Sequence, residues 1–199
     1  MNTEVKTHSA AVGWVGIVAV AAFCIMWLAC YQADSSWKWG VDAISEFGVS
    51  STAAADYFVY GFVIAGALLA AFGIGKVQCS QRKYGYVIAG TLFAISGIAL
   101  VLVGILTKDV ASGDYHTFFA WMLAVLFAVA VIVTVVQEYL DGNVLSVGVS
   151  MVLLFAAASF AILFEFEKFE VYAIILAMVW IILNSAVMIM NGIKGGKTQ

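Results

Sequence analysis

The chain is poor in charge and has no proline at all. Of 199 residues only 11% are charged, while 64% are hydrophobic. A soluble domain is nearer half apolar and one quarter charged. A soluble fold of this length has too much surface to hide so much apolar side chain, so composition excludes an ordinary water-soluble domain. It also excludes nucleic-acid binding, which needs a basic face: nine Lys and Arg stand against twelve Asp and Glu. The lack of proline means that no helix is kinked by one. The three cysteines form no metal or redox pattern. Cys24 and Cys30 lie in one apolar run and Cys79 in a loop, which reads as small apolar fillers plus one loop thiol. No cleavable leader is expected, because the first apolar run is too long for one.

What the chain does have is long apolar runs. A bilayer core needs about 20 such residues per helix, and six segments qualify: 13–31, 57–77, 84–106, 118–136, 144–164 and 171–190. These predict an all-α fold, a single domain over 1–199 made of six transmembrane helices. Short connections make sequential helices antiparallel neighbours. None of the six carries an ionisable residue near its middle, which disfavours a proton pump or an ion-coupled transporter. The polar residues within the spans are Thr91, Ser96, Thr134, Ser159, Asn184 and Ser185, and hydroxyls commonly bond back to their own helix.

Basic residues orient the chain. With both termini inside, Lys6, Lys76, Arg82, Lys83, Lys194 and Lys197 fall inside, six of the nine. Only Lys38, Lys108 and Lys168 fall outside. The positive-inside rule therefore predicts cytoplasmic termini, in the plasma membrane of a prokaryote.

Gly90, Gly97 and Gly104 recur every seven residues on the third helix. Gly61, Ala65, Gly66 and Ala70 give the second a similar surface. Such faces let backbones approach closely, within one chain or between two copies. The first outer loop is the longest. In it Trp37, Val41 and Ile44 fall at helical spacing, Ser35 stands at a capping position, and a short interfacial helix is expected.

All three outer connections carry polar residues: Asp42, Ser45 and Glu46; Asp109, Asp114 and His116; Glu165, Glu167, Lys168 and Glu170. In a compact bundle they share one rim. His116 beside Asp114 and Asp109 has the makings of a general base with carboxylate orienters. The plainer reading, preferred for a lone histidine, is one that ties a helix start to its loop. Lys168 can pair with Asp109 or Asp42 across the rim. A catalytic zinc usually takes three protein ligands. The other histidine, His8, falls on the opposite side, so a His-rich zinc site is excluded. One His with carboxylates, or a hard cation on the acidic rim, stays open.

The stretch Asp42-Ala-Ile-Ser-Glu-Phe-Gly48 resembles the signature of a family of uncharacterised six-helix prokaryotic membrane proteins, itself similar to the Frag/DRAM/Sfk-like group. Leu102-Val-Gly-Ile-Leu-Thr-Lys-Asp109 followed by His116, and Glu167-Lys168, are further matches. Thr107-Lys108 stands where the family often has a proline, and Lys168 where it has arginine, which removes a bidentate grip. The resemblance implies six helices and a polar rim of Asp42, Ser45, Asp109, His116, Glu167 and Lys168. It implies no activity; the eukaryotic relatives are linked to lipid handling. The first reading is thus a membrane protein that binds or organises lipid at the outer leaflet through the rim residues Asp42, Ser45, Glu46, Glu167 and Lys168. The second is a membrane-embedded hydrolase using His116, Asp109 and Asp114, with or without a metal. The third is a small transporter. No organic cofactor is expected.

Overall fold

The computed structural model describes residues 3–108 and 113–194. Six α-helices form it: α1 (Thr3–Ala33), α2 (Ala54–Gln78), α3 (Tyr84–Ile105), α4 (Gly113–Leu140), α5 (Val144–Leu163) and α6 (Phe166–Lys194), with a 3-10 helix (Ile44–Val49) between α1 and α2. No strand occurs among the described residues. Each α-helix contains a stretch long and apolar enough to cross a bilayer, from His8–Ala33 to Glu167–Ile193. Without water in the hydrocarbon, a helix satisfies its backbone internally, which is why these runs take this form.

Each helix packs against its neighbours in sequence, and α6 returns to α1, so the six form a closed ring. One end of the ring, the terminal face, is where α1 begins and α6 ends. The other, the first-loop face, carries the 3-10 helix. The ring is uneven. In α2 half of the best apolar window is buried, in α5 only 6%. Leu145, Val152, Phe155 and Ile162 of α5 are all more than two-thirds exposed, as befits side chains whose solvent is lipid.

Glycine accounts for the tight side. A methyl group added at Gly66 would fall 2.7 Å from the Gly97 carbonyl oxygen, and one at Gly90 would fall 2.7 Å from that of Gly73. The two backbones are in direct contact, so the glycine stripe read on the third helix is the α2–α3 seam. Ser96, Thr91 and Thr134 donate to the carbonyls of Leu92, Val87 and Ala130 one turn back, as expected of membrane hydroxyls.

The first loop holds the short helix expected of it, shifted along the chain. Helical structure begins at Ile44, not at Ser35, and it is buried: Ile44, Ser45, Phe47 and Gly48 face the bundle. Trp37 lies before it, stacked on Phe47 at 4.9 Å between centroids, with its indole N–H donating to the Ala43 carbonyl. The helix thus plugs the first-loop face of the bundle. Asp34 fixes its start, accepting hydrogen bonds from Ser36 and Ser50. Those bonds hold its carboxyl below the usual carboxylate range.

Candidate amphiphile cavity

A cavity of about 300 Å³ occupies the middle of the ring, lined by all six α-helices. Its wall is apolar: Ala19 and Phe23, Phe62 and Leu69, Leu100 and Val103, Phe127, Leu154, Trp180 and others. Small residues make the space. Ala120, Ala124 and Ala128 recur every four residues on α4, and Ala173 and Ala177 face them from α6. Side chains four apart share a helix face, so the alanines form two shallow troughs. The lining of α4 runs from His116 to Val131, about 22 Å at a rise of 1.5 Å per residue. That exceeds one leaflet of a roughly 30 Å hydrocarbon core.

Among the described residues, polar side chains enter this lining only at the first-loop face: Ser45, His116 and Glu170. Ser45 comes from the 3-10 helix. Its N–H donates to Glu170 Oε1 at 3.0 Å and its hydroxyl to Oε2 at 3.1 Å. Glu170 stands in the second turn of α6, close to the positive end of the helix dipole. His116, 3% exposed, hydrogen-bonds the Leu106 carbonyl through Nδ1 at 2.7 Å. A carbonyl only accepts, so Nδ1 carries the proton.

The remaining rim residues lie elsewhere. Asp42 and Glu46, with Glu167, line an outer groove together with Asp34, Ser50 and Thr52. Asp42 accepts from the Lys38 N–H at 2.6 Å and closes a turn. Glu46 is ion-paired with Lys108. Lys168 reaches Glu165 on its own side of the rim at 3.7 Å, not Asp42. Asp114 is exposed, and Asp109 lies outside the described residues. Among the described residues no cluster of three or more His, Cys, Asp or Glu could hold a metal ion.

Sequence reading missed the opposite pole. Lys76, Glu138 and Asn184 are 5%, 3% and 6% exposed. Lys76 Nζ donates to Asn184 Oδ1 at 2.6 Å. The Asn184 amide donates to Glu138 Oε1 at 3.4 Å, and Ser146 Oγ donates to Glu138 Oε2 at 2.8 Å. Three rings surround the ammonium, with centroids 5.5 Å (Phe72), 5.7 Å (Phe93) and 5.7 Å (Trp180) away. A helix side chain leans toward its own N-terminus. Lys76, near the end of α2, therefore leans into the membrane instead of snorkelling out. Trp180 is held by a hydrogen bond to Ser150 at 3.0 Å and separates this pole from the cavity it also lines. The signals were a lysine still inside an apolar run and an asparagine on α6. Neither names its partner.

A ring of apolar helices around an interior with polar ends defines a multi-pass membrane protein with an amphipathic internal cavity. The chain belongs to the family described as "Protein of unknown function (DUF998)", which matches residues 10–191. No functionally curated protein and no solved structure matches it.

Proposed function

We propose that the protein binds one amphiphile inside the bilayer, its hydrocarbon chain along the alanine troughs and its polar end at Ser45, His116 and Glu170. The observation that carries this is the segregation of the lining: apolar over the length of the ring, polar at one end only. Ligand sites of this kind are concave, mostly apolar and about 300–1,000 Å³, with a few placed polar groups. The resemblance to the lipid-linked Frag/DRAM/Sfk-like group points the same way. We orient the protein with its terminal face in the cytoplasm of a prokaryotic cell, on the bias of basic residues, so that the polar end of the cavity faces the outer leaflet.

Access runs through the ring wall beside α5, which packs lightly on both neighbours. The test is native mass spectrometry of the full chain released from nanodiscs. One retained lipid-sized mass on the wild type, absent from Ala124→Trp, is the expected result. Equal retention by both would sink the reading.

A further inference from the structure

Glu170 brings a carboxylate to the cavity and has no ion-pair partner among the described residues. Both oxygens accept hydrogen bonds, and both donors belong to neutral Ser45. Among the described residues no lysine, arginine or histidine forms an ion pair with it. Of the basic groups on this face, Lys108 is ion-paired with Glu46, Lys168 with Glu165, and Lys38 is exposed in the first loop; Lys108 acts on Glu170 only from beyond ion-pair distance. At the other pole Lys76 is spent on Asn184 and three rings. Glu170 is half-buried, facing the cavity; a charge withdrawn from water without an ion-pair partner is costly, and an ionisable group in a membrane interior is by default a functional one.

We propose that the ligand's head is a protonated amine and that Glu170 is its counter-ion. This deepens the proposed function and rests on it. An ammonium supplies the direct ion pair that no described residue forms with Glu170, and its N–H groups are donors where Glu170 offers acceptors. Phe169 and Trp121 line the same cavity, and aromatic faces attract cations. A carboxylate head would meet like charge at Glu170. An alcohol head would find an acceptor but leave the charge uncompensated.

The experiment compares dodecylamine, dodecanol and dodecanoate, which share one chain, by calorimetric titration of the full chain in nanodiscs at pH 7. Binding to Ala124→Trp, whose cavity is filled, is subtracted as bilayer partitioning. Expected is dodecylamine at least about 10-fold tighter than dodecanol, with dodecanoate weakest, and that preference lost in Glu170→Gln. Dodecanol or dodecanoate binding as tightly as dodecylamine in the wild type overturns the amine head while leaving the cavity reading in place. So does a Glu170→Gln protein that keeps the preference. If no probe distinguishes wild type from Ala124→Trp, the cavity reading itself fails, and the head with it. Should Glu170→Gln not fold, the wild-type ranking decides alone.

Discussion

Lys76 of α2 and Glu138 of α4 are joined through one amide: Asn184 of α6 accepts from the lysine and donates to the glutamate. Ser146 adds α5 to the same cluster. Four helices of the ring are thus tied by hydrogen bonds at a single depth.

That arrangement sets unequal effects for its members. Removing one charge of a buried pair strands the other at about 3–5 kcal/mol, whereas replacing both with apolar groups is often neutral. Lys76→Met is therefore expected to destabilise the protein strongly, and Lys76→Met with Glu138→Leu to recover most of the loss. Thermal melts of the two variants in detergent measure this. A double variant less stable than the single would contradict it.

At Gly97 the seam between α2 and α3 has no room for a side chain: an added methyl would fall 2.5 Å from the Gly66 carbonyl oxygen. Gly97→Val is expected to cost at least about 1–3 kcal/mol, the usual penalty for overpacking. Gly148, with nothing within 4 Å of an added methyl, should accept alanine without loss. Comparing the melting temperatures of the two variants checks the contrast.

Filling the cavity should separate stability from binding. Ala124→Phe adds apolar contacts in a space the chain leaves open, and cavity filling commonly contributes about 0.5–2 kcal/mol. The delipidated variant should melt higher than delipidated wild type and yet gain nothing from added lipid. A variant that is still stabilised by lipid would place the ligand elsewhere.

At the terminal face Lys83 reaches Asp141 at 2.8 Å, and Tyr86 and Gln137 donate to the same carboxylate. Burial opposes its ionisation, but the bonds from Lys83, Tyr86 and Gln137 outweigh it and hold its carboxyl below the ordinary range. A lowered acid contributes stability above its unfolded value, about 3.9, and that contribution is lost as pH falls through the lower folded value. Wild type should therefore exceed Asp141→Asn in melting temperature at pH 6, and the gap should narrow as the pH falls below about 4. A gap of the same size at pH 6 and pH 3 would rule this out.

Much of the fold was legible because membrane solvation writes itself into long runs: six apolar stretches gave six helices, and Gly90, Gly97 and Gly104 gave a packing face. The plug of Ile44–Val49 was harder. Trp37, Val41 and Ile44 have helical spacing, yet Phe47 and Trp37 stack on one another and draw the segment inward. Of the rim residues, Ser45, His116 and Glu170 reach the cavity, while Asp42, Glu46 and Glu167 turn to an outer groove. Nothing in the spacing of a loop tells which side of a plug its polar groups will take. The alanines of α4 were visible at positions 120, 124 and 128, but a row of small residues becomes a cavity only when the facing helices are also small or distant.

The looseness of α5 has a mechanical meaning. Most of its surface meets lipid and little of it meets protein, so the force that seats it comes largely from the surrounding bilayer. Lateral pressure and membrane thickness then act directly on one wall of the cavity. The volume of that cavity becomes a property shared between the chain and the membrane that holds it.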